Sequence, residues 1–320
     1  MRRFILIPHL KIQNANALSS PFTIGFPAMT AWLGGVHALQ RKLNQHGFAD
    51  LIFSAVAISC HSIDLQTYKA KNGYDSSLIL TRNPLDKDGK SPSIIEEARC
   101  HLDVSLLIEF QGAGGEEIEQ LVDKIPNQLH KMKFASGDIL NFKKIENFNY
   151  NEDEDNFKKI ANKLMLGNVI ISRNELMKEA MESGQDAMDA MLDYLKIYSQ
   201  VINENNHDPN IEQTAPNQND QITSDKNKKV KWQSYRKTSG WIVPIAVGFH
   251  GISEIAESGT VKNQRDPAVP HRFAESVVTL GQFIMPYRLN DIDEMLWVYE
   301  YQEQNNLYLC KTLKTFNNQQ

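Results

Sequence analysis

The chain has 320 residues, of which 41% are hydrophobic and 23% charged, and its formal net charge at pH 7 is −5. These values are typical of a globular protein with a substantial apolar core, and they exclude a strongly basic nucleic-acid-binding protein. Any contact with RNA must therefore depend on a local group of cations or on a partner. No apolar run approaches the roughly 20 residues that a membrane-spanning helix needs, which excludes a helical membrane protein.

The cysteines and the N-terminus indicate a cytoplasmic protein. Cys60, Cys100 and Cys310 are too few and too widely spread for a disulfide framework, which favours a reducing compartment. Pro8 interrupts the apolar stretch near the N-terminus and leaves it too short for a signal peptide. We therefore expect no association with a membrane.

The N-terminal segment reads as a strand, a polar loop and a helix. Residues 4–12 are rich in Ile and Leu and predict a strand, and residues 30–45 place apolar side chains at helical spacing. The loop between them, residues 14–27, offers amides, hydroxyls and backbone donors. These groups suit contacts to RNA phosphates, sugars and base edges, although any surface loop has a similar composition.

The next segments complete an α+β pattern. Strands are predicted at residues 51–63, 77–81 and 99–111, and a helix at residues 116–133 that Pro126 should kink or split. The order strand, helix, strands, helix fits a ferredoxin-like fold, in which two helices cover one face of an antiparallel sheet. The same pattern is compatible with other α+β folds.

The middle of the chain differs in character. Helices are predicted at residues 156–166 and 174–201, and the Asn-rich stretch at residues 203–225 predicts a flexible loop. A basic cluster follows at residues 226–237, with Trp232 and Tyr235 between its cations. Such a cluster suits single-stranded RNA, and it is equally typical of the solvated edge of a loop.

The C-terminal part adds further elements to the core. It predicts a strand at residues 241–249, a loop at 265–270, a helix at 272–283 and a strand at 295–301. The strands are expected to close the sheet that begins at the N-terminus. We therefore predict a core of residues 1–140 and 232–320, with a mainly helical insertion at 141–231 whose flexible loop spans about 203–231.

Three chemical motifs give weak signals. The glycines at 112–115 precede Glu116 and Glu117, without the lysine of a phosphate-binding loop, and predict a turn. Residues 60–61 and 100–101 are each a Cys-His pair on a predicted strand and could ligate zinc together if the two strands were neighbours. Adjacent residues of a strand point to opposite faces of the sheet, which argues against such a site. His37, on the first helix, is a candidate general base, although a surface histidine is the simpler interpretation.

The amino-acid sequence closely resembles the sequences of a known family. The N-terminal stretch IPHLKIQNANALSSPFTIGFPAMTAWLGGVHALQRKL is similar to the start of the second Csy subunit of the type I-F CRISPR surveillance complex, in the "Cas five" branch of the RAMP superfamily. The resemblance continues nearly to the end of the chain, through LILTRNPLDKDGKSPSIIEEARCHLDVSLLIEF, SGWIVPIAVGFHGISEI, NQRDPAVPHRFAESVVTLGQFIMPYRL and LWVYEY. The segments 146–156 and 203–231 carry no part of it.

This resemblance implies a fold and a role. The fold is a RAMP-type modified RNA-recognition, or ferredoxin-like, core with an insertion. The role is that of a non-catalytic subunit that binds the 5′ handle of the CRISPR RNA and forms a heterodimer with the large first Csy subunit. It would also contact the terminal copy of the third, backbone Csy subunit, and target DNA only indirectly. No cofactor and no metal ion are expected.

Contacts to the handle are expected from three polar segments. Each segment contains amides, hydroxyls or cations and lies in a part of the sequence that resembles the family. They are Asn14, Asn16, Ser19, Ser20, Gly25, Phe26, Arg82, Asn83, Arg265 and Arg272.

Two alternatives remain open. Some "Cas five" proteins cut the repeat RNA themselves, and a RAMP endoribonuclease of that kind would need a general base such as His37. The chain could also be a scaffold for the large subunit that touches RNA only incidentally.

Overall fold

A computed structural model describes residues 1–79, 85–91, 97–151, 154–202, 231–264 and 266–316. Within these ranges the chain is an α+β protein with five α-helices and a large sheet of 11 strands, in which every hydrogen-bonded pair is antiparallel. Three two-stranded hairpins lie outside this sheet.

The strands are β1 (Arg2–Asn16), β2 (Leu18–Ser20), β3 (Thr23–Ile24), β4 (Ile52–Leu65), β5 (Thr67–Lys69), β6 (Ser76–Leu78), β7 (Arg99–Gln111), β8 (Lys133–Phe134), β9 (Gly137–Asn141), β10 (Glu146–Tyr150), β11 (Asn168–Ser172), β12 (Tyr198–Ile202), β13 (Lys231–Tyr235), β14 (Trp241–Gly251), β15 (Ala274–Ile284), β16 (Trp297–Gln302) and β17 (Leu307–Thr312). The helices are α1 (Met29–Asn44), α2 (Glu116–Leu129), α3 (Glu154–Leu164), α4 (Asn174–Glu182) and α5 (Ala187–Leu195).

The N-terminal half is a sheet with two helices on one face. Its strands lie in the order β9-β1-β7-β4, with α1 following β1 and α2 following β7. Trp32 and Leu39 of α1 and Leu121 of α2 are fully buried in one apolar cluster with sheet residues such as Ile7 and Leu106. Burial of side chains of this size contributes roughly 1.5–3 kcal/mol each, so this cluster fixes both helices on the sheet.

The C-terminal half forms a closed ring of strands that shares β4 with the first half. The order β11-β15-β14-β17-β16-β4 closes because β11 pairs with both β15 and β4. Trp297 of β16 is fully buried opposite Val56 of β4, and its indole N–H donates to the carbonyl of Ile170 across the ring at 2.8 Å. One buried side chain therefore connects three strands of the ring.

A second apolar cluster covers part of the other face of the sheet. Phe4 and Leu6 of β1 and Leu107 of β7 pack there with Leu164 of α3 and with the segment around Leu289. Arg2 donates to Glu109 at 2.8 Å and to Asp293 at 2.7 Å, which ties the first strand to the C-terminal segment. The cluster covers only the early part of β1, and the later part of that face remains open.

Two predictions of secondary structure were wrong. Residues 272–283 were predicted as a helix, but Ala274–Ile284 is strand β15 between β14 and β11. The β-branched run Val277, Val278 and Thr279 favours a strand, and burial of successive residues from Thr279 to Ile284 hides the alternation that marks a half-exposed strand. The pairing of β15 with two neighbouring strands thus outweighs the helical spacing of its apolar residues.

The helix predicted at residues 174–201 is divided into three elements. Gly184 adopts a φ of +93° after α4, and Asp186 caps α5 by accepting from the N–H of Met188. The chain then forms β12, which pairs with β13. The methionine-rich stretch is nevertheless helical, and Met177 and Met191 are buried as core residues.

The remaining predictions of secondary structure hold more closely. Pro126 was expected to kink or split α2, but the helix continues through it without a break. Strands β1, β4, β7, β14 and β16 lie where strands were expected. The segment predicted as an insertion supplies β10 and β11 to the large sheet, beside β1 and β15. Most of the predicted flexible loop, residues 203–230, lies outside the described residues. None of the helices in the described ranges is long and apolar enough to cross a membrane.

We expect Trp297→Ala to destabilise the chain by about 3–5 kcal/mol, the usual cost of removing a buried tryptophan side chain. The change also removes the donor to Ile170 and so weakens the closure of the ring. Urea unfolding, followed by circular dichroism, measures the effect. Trp232→Ala is the matched control, because Trp232 is 66% exposed and its loss should change the free energy of unfolding by less than about 0.5 kcal/mol. Equal effects of the two changes would contradict the assigned role of Trp297.

Candidate functional site

The open part of the sheet carries polar side chains at a period of two. Along β7, Leu102, Val104 and Leu106 face the helices, whereas the residues between them face the other side. Lys11 lies opposite Asp103, and Asp64 lies opposite His101, so the neighbouring strands add polar groups to the same side. We call this surface the open face; it comprises His9, Lys11, Gln13, His61, Asp64, Gln66, His101 and Asp103.

Two β-bulges shape the centre of the open face. The register between β1 and β7 shifts between Ile7 and Leu10, and the register between β4 and β7 shifts between Cys60 and Ser62. Both shifts flank Val104, because Leu10 and Cys60 are its partners on the two sides. A bulge re-aims the side chains of its strand, and here the bulged segments contain His9 and His61.

The bulges bring two histidines together over β7. The rings of His9 and His61 stack with centroids 4.2 Å apart. His9 Nδ1 lies 3.0 Å from Asp103 Oδ1, and His61 Nε2 lies 2.7 Å from the hydroxyl of Ser105. The same hydroxyl accepts from the backbone N–H of His9 at 3.1 Å. The contacts hold both rings in fixed orientations.

Burial lowers the pKa of His61, and the neighbouring His9 lowers it further. Asp103 acts in the opposite direction, and Lys143 adds to the lowering. Because an ordinary histidine titrates near pH 6.5, the lowered pKa keeps the imidazole of His61 neutral at pH 7.

Asn14 lies in a further irregular stretch of β1 at the edge of the open face. Its φ is +56°, and the register with β7 shifts between Ile12 and Ala15. Its side-chain oxygen accepts from Gln66 Nε2 at 2.6 Å, and its backbone N–H donates to His101 Nδ1 at 3.3 Å. The exposed amide therefore belongs to the same polar surface as the histidines.

Cations border this surface. Lys143 and Lys144 line a cavity beside His9, together with Lys163. Lys163 pairs with Glu146, whereas no carboxylate of the described chain lies within ion-pair distance of Lys143, Lys144 or Lys11. The border can therefore attract anionic ligands even though the chain as a whole is acidic.

Other residues of the predicted loop stabilise a hairpin. The side chain of Asn16 bonds both to the N–H and to the carbonyl of Leu18. The hydroxyls of Ser19 and Ser20 contact that of Thr23 at 2.9 and 2.7 Å, and Ser20 is buried. The short strands β2 and β3 thus use these polar groups internally.

Phe26 and Gly25 lie where the hairpin joins α1. The ring of Phe26 is 5% exposed; it stacks on Trp32 with centroids 5.4 Å apart and meets Phe283 edge-on at 5.3 Å. Gly25 has a φ of +148° and donates its N–H to the carbonyl of Ala17. The ring of Phe26 is thus a core contact between the two halves and does not lie at the surface.

Arg272 lies far along the sheet, at the Gly251 end of β14. Its guanidinium donates to the carbonyl of Ser253 at 2.6 Å and to the side-chain oxygen of Asn306 at 2.9 Å. These bonds hold two loops together. Arg82, Asn83 and Arg265 lie outside the described residues. Of the predicted contact residues that are described, Asn14 alone lies at the edge of the open face and bonds to its residues Gln66 and His101.

Sequence reasoning missed most of the open face. The alternation in residues 99–111 was recognised, and it already places His101, Asp103 and Ser105 on one side. The positions of His9 and His61 depend on two bulges, which have no signal in the sequence. The contact between Gln66 and Asn14 exists only because β1 and β4 flank β7.

The other candidate motifs do not form a site in the described chain. Cys60 and Cys100 point into the apolar core, and burial raises the pKa of both thiols to about 12, so neither provides a thiolate at pH 7. His37 is exposed on α1, which packs against the opposite face of the sheet. Gly112 to Gly115 connects β7 to α2 as a turn, as predicted.

The described part of the basic cluster lies in and after strand β13 of a two-stranded sheet. Strands β12 and β13 pair, with Tyr198 stacked on Tyr235 and with Trp232 exposed. Lys237 lies over the ring of Tyr194 and 3.8 Å from Asp193. The cations at 226, 228 and 229 lie outside the described residues.

Comparison with known proteins identifies the family. A family model described as "CRISPR-associated protein (Cas_Csy2)" matches residues 5–310. The chain is also 31% identical to the CRISPR-associated protein Csy2 of Pseudomonas aeruginosa (strain UCBPP-PA14), over 96% of this chain and 94% of that protein. Both matches span the open face and the closed ring of strands, and they confirm the resemblance seen in the sequence. The chain belongs to the Csy2 family of CRISPR-associated proteins.

Proposed function

We propose that this protein is a non-catalytic, cytoplasmic subunit of a type I-F CRISPR surveillance complex and that its open face binds the 5′ handle of the CRISPR RNA. The observation that carries the proposal is the polar surface formed by Asn14, Gln66, His101 and the two stacked histidines. Single-stranded RNA is recognised by hydrogen bonds to exposed base edges and by stacking on flat side chains. Amides and imidazoles provide both.

The connectivity of the first half supports this use of the surface. Apart from short strands, β1–α1–β4–β7–α2–β9 is a βαββαβ unit, the arrangement of ferredoxin-like domains. RNA-recognition modules of this kind bind RNA on the sheet rather than on the helices. We therefore infer a RAMP-type modified RNA-recognition fold whose open face is the RNA-binding side.

The charges indicate how the handle would be held. The open face contains Asp64 and Asp103, so it does not attract phosphates in general, whereas Lys11 lies on this face and Lys143 and Lys144 lie at its border. We infer that the amides and imidazoles read bases and that these three cations position the RNA backbone. Such a site would weaken only moderately with salt, because few phosphates are neutralised.

The large first Csy subunit would bind elsewhere, on a row of aromatic side chains. Tyr301, Tyr308 and Phe249 are register partners on β16, β17 and β14, and they are 60%, 38% and 44% exposed. Interface cores are enriched in aromatic residues, and a continuous exposed apolar row commonly marks a binding site. The terminal copy of the third Csy subunit and, indirectly, target DNA complete the proposed contacts.

A RAMP endoribonuclease is the second candidate, and His37 is its predicted base. No carboxylate among the described residues pairs with His37, and the helix that carries it lies on the opposite side of the sheet from the open face. We therefore infer that the subunit is non-catalytic, and an assay for RNA cleavage tests this inference.

The first test uses the chain co-expressed with its large partner subunit and labelled CRISPR RNA with an intact or scrambled 5′ handle. We expect preferential binding of the intact handle, uncut RNA, and moderate weakening between two salt concentrations. Equal binding of both handles would instead make the chain a scaffold. Cleaved RNA whose production is abolished by His37→Ala would make it a nuclease.

The second test compares two asparagines of the same segment. Asn14→Ala should lower the affinity for the intact handle by roughly 5–100-fold, since a lost base contact costs about 1–3 kcal/mol, and should leave the affinity for the scrambled handle unchanged. Asn16→Ala is the matched control, because its side chain bonds only within its own turn. If Asn14→Ala binds like the wild type while the complex still assembles, the assignment of the open face is wrong.

The third test concerns the aromatic row. Replacing Tyr301 and Phe249 together by alanine should weaken binding of the large subunit by at least about 30-fold, the effect of losing an aromatic interface anchor. Tyr68→Ala serves as a control, because Tyr68 is 65% exposed on β5, away from the row. Surface plasmon resonance with the purified large subunit measures both. Unchanged affinity of the double variant would place the heterodimer contact on another surface.

A further inference from the structure

We propose that His9, His61 and Asp103 bind a divalent transition-metal ion of the zinc class. One ligand atom from each residue lies within 4.8 Å of the other two, and the three residues belong to three adjacent strands, β1, β4 and β7. Two imidazole nitrogens and one carboxylate oxygen form a common ligand set for zinc. The proposal departs from the expectation that the protein binds no metal, and it does not depend on RNA binding.

The distances already approach those of a coordination sphere. His9 Nδ1 lies 3.0 Å from one oxygen of Asp103 and 3.2 Å from the other. Two ligands on a tetrahedral zinc ion, with bonds of about 2.0–2.1 Å, are separated by about 3.3–3.4 Å. An ion can therefore replace the hydrogen bond between His9 and Asp103 with a small rotation of either side chain. One ring nitrogen of His61 lies within 4.8 Å of the other two ligand atoms, and its ring must turn out of the stack with His9 to reach the same point.

Contacts behind the ligands support this arrangement. Metal ligands are usually oriented by hydrogen bonds to neighbouring groups. The hydroxyl of Ser105 lies 2.7 Å from His61 Nε2 and 3.1 Å from the backbone nitrogen of His9, so it holds both histidines beside Asp103. Gly167 leaves room for the other edge of the ring of His61, because a Cβ atom at position 167 would lie 3.0 Å from Nδ1 and Cε1 of that ring.

The backbone is also unusual at this place. His9 has a φ of +51°, a conformation that side chains other than glycine adopt at a cost of about 1–2 kcal/mol. Bulges on both sides of Val104 direct the histidines toward Asp103. Three protein ligands leave a fourth position for water.

The surrounding charges permit one cation. Asp103, which lies 3.0 Å from His9 Nδ1, supplies one negative charge to offset that of an ion. The cluster is half-buried, so an ion could enter from the open face.

The test titrates the full-length chain, freed of metal with EDTA and without RNA, with Zn²⁺ by calorimetry and with Co²⁺ by visible absorption. We expect one ion per chain, the d–d bands of a four-coordinate Co²⁺ centre, and a higher melting temperature with Zn²⁺, because a ligand that binds only the folded state stabilises it. Asp103→Asn, which nearly preserves shape, and His61→Ala should each weaken binding at least tenfold.

His37→Ala is the control, because it removes an exposed histidine from α1 and should leave binding unchanged. No stoichiometric binding by the wild type would overturn the proposal, as would Zn²⁺ affinity that neither Asp103→Asn nor His61→Ala alters. If His61→Ala does not fold, Asp103→Asn decides alone. Because these measurements contain no RNA, a negative result leaves the proposed binding of the handle untouched.

Discussion

Strand β4 is the element on which the rest of this structure depends, because both halves of the molecule hydrogen-bond to it. On one side it pairs along almost its whole length with β7, and on the other it contacts β11 and β16. A strand with partners on both sides has no free edge, and where both of its faces are also covered by apolar clusters it must be largely apolar. Residues Ala55 to Cys60 are all buried, as this position requires.

The two faces of the first half have different physical roles. The helix-covered face contains the main apolar cluster, including Trp32 and Leu121, and provides most of the stability. In the described part of the chain, the other face is covered where α3 and the segment around Leu289 pack, near Leu107 and Leu164. The uncovered remainder is polar, and its histidines and amides are available for recognition and, by our proposal, for a metal ion.

The errors in the predictions from the sequence have a common origin in strand pairing and side-chain packing. The strand Ala274–Ile284 resembled a helix because its late residues are buried on both faces, which removes the alternation of an exposed strand. Asn16 and Phe26 were chosen by residue type, yet one closes a turn and the other packs on Trp32 and Phe283. Residue type describes what a side chain can bind, and packing determines whether it remains available.

The sequence by itself determined the family, the α+β class and the positions of α1, α2 and the long strands other than β15, since these depend on residue order and on local periodicity. It also determined the alternation along β7 that separates Asp103 and Ser105 from the core. Only the tertiary structure decided that β4 joins two sheets and that His9, His61 and Asp103 meet. These depend on pairing between distant strands and on bulges, where one extra residue re-aims a side chain, and no local pattern specifies such a shift.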